Sequence, residues 1–128
     1  MVILDTSIII DHLRRIGSGK TALVRVAETV SKENLALSVI SVQELYEGRS
    51  TKDRHKEEHL LATITPLRIM PYIYEVAHCA GMLARDIRRP IELADAAIAA
   101  TALVNGAAIY TLNKKDFEHI PGLELWEL

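Results

Sequence analysis

The chain has little of what marks several common classes of protein. Its one cysteine, Cys79, excludes an internal disulfide and suits a reducing compartment, so we expect a cytoplasmic protein. No apolar run approaches the ~20 residues that a transmembrane helix needs, so no membrane association is expected. The apolar start meets Asp5 at once and lacks a basic leader, which argues against a signal peptide.

The chain also lacks an excess of charge of either sign, because its formal net charge is only −2. Nonspecific binding to duplex nucleic acid favours strongly basic domains, so this balance argues against that class of protein. Linkers, internal repeats and low-complexity tracts are absent from the sequence as well. The sequence therefore predicts one domain over residues 1–128, which is long enough to bury a hydrophobic core.

The chain does contain short apolar runs that alternate with longer helical patterns. This alternation is typical of a parallel sheet with helices on both faces, and it predicts a three-layer α/β/α sandwich around a mostly parallel sheet of four to five strands. Strands are predicted at 2–4, 35–39, 66–70, 107–111 and 123–126. Helices are predicted after Asp5 and at about 20–31, 41–48, 51–64, 74–89 and 92–105, with one short turn within 113–122.

The opening stretch MVILDTSIII places a carboxylate inside an apolar run. An unpaired buried charge is costly, so Asp5 must be solvated, capped or coordinated. Three further acids hold comparable positions: Glu44 and Asp95 near helix starts, and Asp116 just after the fourth strand. Because strand ends and helix starts share one edge of a parallel sheet, we expect all four carboxylates at that edge.

Helix capping is the alternative for each of these acids. Asp5 and Asp95 can cap their helices, Ser41 and Glu44 match the S-x-x-E capping box, and Asn113 with Asp116 has a cap-like spacing. Crowded carboxylates, however, repel one another unless a cation lies between them. Oxygen donors without clustered cysteine or histidine suit Mg²⁺ or Mn²⁺, which keep water ligands and support phosphodiester hydrolysis.

Four segments together resemble a known family: MVILDTSIIIDHL, SVISVQELYEG, ADAAIAATAL and YTLNKKDFEHIPGLEL. In this order they are similar to the PIN domain, and most closely to the VapC toxins of VapBC toxin–antitoxin pairs. The resemblance implies a Mg²⁺-dependent endoribonuclease that hydrolyses RNA by in-line attack of a metal-activated water. It also implies a homodimer and a small antitoxin that inserts a basic side chain into the acidic pocket.

The resemblance assigns roles to individual residues of this chain. Asp5 and Asp95 are expected to bind the metal directly, and Glu44 and Asp116 to bind it through water or a second ion. Three polar residues border the expected pocket: Ser7, Thr111 and Asn113.

Other charged residues near the expected pocket have open roles. Glu92 lies three residues before Asp95 and either adds to the pocket or is solvated. The cluster of Arg85, Arg88 and Arg89 either guides RNA toward the pocket or is uninvolved surface.

Three other functions compete with this interpretation. His55, Glu58 and His59 fit the H-x-x-E-H pattern of a zinc hydrolase, but their helix is charged nearly all round and no third ligand is evident. A phosphoaspartyl enzyme would need an aspartate where the chain has Ser7. A PIN-like scaffold that binds RNA or protein without cleaving it is the non-enzymatic alternative.

Overall fold

The computed structural model describes residues 1–15 and 17–128 and contains one parallel sheet. Its strands are β1 (Val2–Leu4), β2 (Leu35–Ser38), β3 (Arg68–Met70) and β4 (Ala108–Tyr110). They lie in the order β3-β2-β1-β4, and every neighbouring pair is parallel. The predicted α/β fold with a parallel sheet is confirmed.

The prediction of a strand at 123–126 is wrong, because the described part of the chain has no strand there. The segment makes an isolated parallel bridge in which Leu125 lies opposite Ile109. The amide of Ile109 donates to the Glu124 carbonyl at 2.9 Å, and the amide of Trp126 donates to the Ile109 carbonyl at 2.8 Å. Two hydrogen bonds along the free edge of β4 are too few to extend the sheet by a full strand.

The described residues form six α-helices and three short 3₁₀ segments. The helices are α1 (Thr6–Arg14), α2 (Ala22–Thr29), α3 (Val39–Glu47), α4 (Arg54–Ile64), α5 (Tyr74–Asp86) and α6 (Leu93–Val104). The 3₁₀ segments are Lys32–Asn34, Arg49–Lys52 and Lys114–Asp116. No helix of residues 1–15 and 17–128 is long and apolar enough to cross a membrane.

Helix boundaries differ from the sequence prediction at several points. The fourth helix begins at Arg54 rather than at 51, because Asp53 caps it by accepting a hydrogen bond from the Lys56 amide. The third helix begins earlier, because Ser38 at the end of β2 caps it by accepting a hydrogen bond from the Ile40 amide at 3.2 Å. The fifth helix ends at Asp86 because Ile87 has an extended backbone, with φ −78° and ψ 133°. Residues 88–89, predicted to be helical, therefore belong to the connection before α6.

The sheet buries side chains on both of its faces. Val2 and Leu4 point into a core with Ile8 of α1 and other residues of α1 to α4, whereas Ile3 points to the opposite face and packs with Ile98 of α6. Alternate strand residues point to opposite faces, so the central strand β1, which is buried on both faces, is apolar throughout, whereas the edge strand β3 is mostly exposed and carries Arg68. Each fully buried aliphatic side chain contributes about 1.5–3 kcal/mol to stability.

The strand order creates a crevice beside β1. The chain runs from β1 outward through β2 to β3 and then crosses to β4, which lies on the other side of β1. The direction in which successive strands are added to the sheet therefore changes between β1 and β4. Ligands of open parallel sheets bind at the carboxyl ends of the strands where this direction changes. Asp5 directly follows β1, and Thr111 directly follows β4.

Candidate active site

Asp5 lies at the crevice between β1 and β4 and is only 5% exposed. Its backbone amide donates to the Tyr110 carbonyl at 2.9 Å, which fixes the end of β1 against the end of β4. The hydroxyls of Ser7 and Thr111 both donate to Oδ2 of Asp5 at 2.8 Å. These two bonds solvate the buried charge and leave Oδ1 without a hydrogen-bond partner among the described residues.

The two hydroxyls are themselves oriented by the backbone after β4. The amide of Leu112 donates to Ser7 Oγ at 3.2 Å, and the amide of Asn113 donates to Thr111 Oγ1 at 2.9 Å. Because each hydroxyl oxygen accepts from an amide, its proton is directed toward Asp5. Asn113 thus acts through its backbone, and the carboxylate is held in one orientation.

Glu44 is tied to the start of α1 by a residue that the sequence prediction missed. Thr6 Oγ1 lies 2.6 Å from Glu44 Oε1 and 2.8 Å from Ser41 Oγ. A carboxylate can only accept, so Thr6 donates to Glu44 and accepts the proton of the fully buried Ser41 hydroxyl. The signal for Thr6 was its place between Asp5 and Ser7 in the D-T-S stretch.

Asp95 occupies the first turn of α6 and is half-buried. Burial raises its pKa from the ordinary 3.8 to about 7, and the charges of four other acids add to the increase. These acids are, in order of effect, Asp5, Asp116, Glu92 and Glu44. The structure therefore brings Asp5, Glu44 and Asp116, together with Glu92, close enough to Asp95 for their charges to act on it.

Asp116 meets one of the three arginines that the sequence suggested as RNA guides. Arg89 Nη2 lies 3.5 Å from Asp116 Oδ1, and Arg89 Nη1 donates to the Lys115 carbonyl at 2.8 Å. Arg85 instead pairs with Asp86 at 2.7 Å, while Arg88 is exposed. Of the three, Arg89 is the one that contacts a pocket acid.

Helix capping does not account for the four acids. Within the described residues, none of the four carboxylates accepts a hydrogen bond from a helix-terminal amide. The capping box that the sequence suggested for Ser41 and Glu44 is wrong, because Ser38 caps α3 and Ser41 lies inside the helix. Asp5 and Glu44 are instead bound by hydroxyl groups, Asp116 by Arg89, and Asp95 by no side chain of the described residues.

The donor set fits a hard divalent cation that keeps its water. As placed, no three histidine, cysteine, aspartate or glutamate side chains of the described chain converge to hold one metal ion. Mg²⁺ needs only one or two direct carboxylates, and water completes its octahedron. Asp5 Oδ1 and the Asp95 carboxylate have no hydrogen-bond partner within residues 1–15 and 17–128, so both remain available as ligands.

The same observation disfavours zinc at His55, Glu58 and His59. A zinc hydrolase needs three protein ligands, and no such group exists in the described chain. Glu58 pairs with Arg54 at 3.3 Å, and the His59 ring packs against His12 with centroids 6.1 Å apart. Two of the three proposed ligands therefore have other contacts.

Comparison with known proteins identifies the family to which this fold belongs. The PIN domain model matches residues 2–123, and the chain belongs to the PIN domain family.

Individual relatives narrow the comparison. The chain is 35% identical over 116 residues to ribonuclease VapC10 of Mycobacterium tuberculosis, covering 88% of this chain and 83% of that protein. Its fold matches a chain of the DNA-bound VapBC2 structure from Rickettsia felis with TM-score 0.84 at 23% identity, over 99% of this chain and all of the other. A toxin–antitoxin complex from Klebsiella pneumoniae matches with TM-score 0.76 at 26% identity, and both chains are fully covered.

Proposed function

We propose that this protein is a Mg²⁺-dependent endoribonuclease and the toxin of a toxin–antitoxin pair. The observations that carry the proposal are the buried Asp5 at the crevice between β1 and β4 and the pKa of Asp95, which burial and the charges of Asp5, Asp116, Glu92 and Glu44 raise to about 7. Relatives over nearly the whole chain are named ribonucleases, which supports RNA as the substrate. Full occupancy of the four acidic positions favours cleavage over a scaffold role.

The pocket residues divide the work between holding a cation and orienting its ligands. Asp5 and Asp95 would hold Mg²⁺ or Mn²⁺ directly, and Glu44 and Asp116 would hold it through water. When bound, the ion supplies a Lewis acid for the phosphate oxygens and a water of lowered pKa. Since the carboxylates must be ionised to bind, the proton that Asp95 carries near neutrality has to leave first, and metal affinity falls below about pH 7.

The test is cleavage of single-stranded RNA by wild type and by Asp5→Asn, with Mg²⁺ and with chelator. We expect the substitution or the chelator to abolish cleavage, because either removes the shared cation. The matched control is Asp86→Asn, an exposed aspartate paired with Arg85 outside the pocket, which should cleave normally. Mg²⁺-dependent cleavage that persists in Asp5→Asn would refute the site, and RNA that is bound but never cut would favour the scaffold.

We infer that an antitoxin binds this chain and inserts a basic side chain into the acidic pocket. Support comes from the similar chain in the Klebsiella pneumoniae toxin–antitoxin complex and from the unbalanced negative charge around Asp95. A cationic group there would relieve the repulsion that a metal otherwise relieves. Inhibition of cleavage by the product of a neighbouring small reading frame, lost when its basic residue is replaced, would establish this role.

We also infer a homodimer, supported by an exposed apolar face on α5. Tyr74 is 85% exposed and stacks on His78, and Met82 lies one helical turn further on the same face. Light scattering should show a dimer for wild type and a monomer for Tyr74→Lys/Met82→Lys. Leu61→Lys, on α4 across the sheet, should leave the dimer intact.

A further inference from the structure

A groove that the acidic pocket does not explain runs between α1, α3 and α4. Its sides include Arg14 at the end of α1, Arg49 in the 3₁₀ segment after α3, and Lys56 in the first turn of α4. Glu44 is the one acid of the described residues that lines it. The fold thus brings Arg14 close to Arg49 and Lys56, which are far from it in the sequence.

The three cations in this groove are free to bind an external anion. Arg14, Arg49 and Lys56 are exposed, and none forms an ion pair with any residue of the described chain. Neighbouring cations are instead neutralised: Arg15 lies 3.3 Å from Asp11, and Arg54 lies 3.3 Å from Glu58. Three unpaired cations that line the same groove favour a polyanion as its occupant.

The groove shares Glu44 with the proposed catalytic pocket. Glu44 lines the groove, and its carboxylate is held by Thr6, which directly follows Asp5. Between the cations the groove has an apolar lining that includes Leu13 and Leu60. A groove lined by cations is the feature by which proteins that bind single strands follow the phosphate backbone.

We propose that the strand of RNA flanking the cleaved phosphate lies in this groove and that Arg14, Arg49 and Lys56 bind its phosphates. The proposal rests on the ribonuclease function proposed above and adds a route for the substrate to it. It differs from the guide suggested by sequence, because Arg85 is neutralised by Asp86 whereas the groove cations are not.

The binding test uses the full chain, chelator to prevent cleavage, and a labelled unstructured RNA long enough to span groove and pocket. We expect Arg14→Gln/Arg49→Gln/Lys56→Gln to raise Kd at least ~10-fold and to lower the slope of log Kd against log salt by about 2, since single strands contribute ~0.7 per phosphate contact. The control Arg25→Gln/Lys32→Gln/Arg68→Gln removes three cations that do not line the groove and should bind as wild type.

The cleavage test separates this proposal from the proposed function. With Mg²⁺, the groove variant should show a raised KM for the long RNA and unchanged cleavage of a short RNA that covers only the pocket. Arg14→Lys/Arg49→Lys keeps the charges and should behave as wild type, which controls for folding. If wild type cleaves no RNA, the ribonuclease function fails, but the binding test still decides the groove.

Two results would overturn the proposal. One is equal RNA affinity for the groove variant and wild type. The other is a groove variant that binds RNA with wild-type affinity but no longer binds the antitoxin, which would make the groove a protein-binding site.

Discussion

We expect ionisation of Asp95 in the pocket to lower the stability of the fold. Its pKa is raised in the folded protein, from 3.8 to about 7, by burial and by the other acids. A raised carboxyl pKa means that the folded state holds a proton more tightly than the unfolded state does. Stability from this group is therefore fully present below about pH 4 and is lost as the pH rises through about 7.

The size of this loss follows from the pKa. At ~1.36 kcal/mol per pH unit, the span from 3.8 to about 7 corresponds to at most about 4 kcal/mol. Asp95 is only half-buried, so solvent screening reduces the expected cost to about 1–2 kcal/mol. Asp95→Asn removes the titrating charge, so in chelator it should be more stable than wild type by that amount at pH 8 and equal to it at pH 4.

Urea unfolding across this pH range measures the difference directly. Asp86→Asn is the matched control: the Arg85 guanidinium lowers the pKa of the Asp86 carboxyl, so this substitution should bring no gain at high pH. Mg²⁺ should reverse the order at pH 8 by stabilising wild type more than Asp95→Asn. Equal stability of wild type and Asp95→Asn at every pH would show that neither burial nor the other acids destabilise the ionised Asp95, and the reasoning would be wrong.

Two further predictions concern the hydroxyls that orient the acids. Thr6→Val breaks the hydrogen bond to Glu44 and leaves the buried Ser41 hydroxyl without its acceptor. Urea unfolding should therefore show that the free energy of unfolding falls by about 1–3 kcal/mol, and RNA cleavage should slow. Unchanged stability would show that these two hydrogen bonds do not hold Glu44 in place. Thr111→Val removes one of the two donors to Asp5 Oδ2, and calorimetry should show Mg²⁺ affinity reduced about 10-fold, whereas an unchanged affinity would separate Thr111 from the site.

Local patterns were enough to predict most elements of the fold. The apolar run Val2–Leu4 and the alanine-rich helix ending before Gly106 are found as expected, because each is fixed by burial on both sides. The strand order could not be predicted from the sequence, since it depends on pairing between distant segments. The segment at 123–126 has strand-like composition, yet it bridges β4 at one position, because composition does not specify how far a pairing extends.

The candidate site was likewise predictable only in part. The four carboxylates could be assigned to one edge because parallel strands all end there. Thr6 was missed because its partners, Ser41 and Glu44, lie 35 and 38 residues away in the sequence. The start of α3 was misplaced because Ser38 and Ser41 are equally good capping residues, and the end of β2 decides between them.

The central claim is that Asp5 and Asp95 share one divalent cation. Anomalous diffraction from crystals grown with Mn²⁺ tests it most directly. We predict a manganese peak between these two carboxylates that disappears in Asp5→Asn crystals. A pocket without manganese at saturating concentration, or a peak on His55 and His59 instead, would contradict the claim.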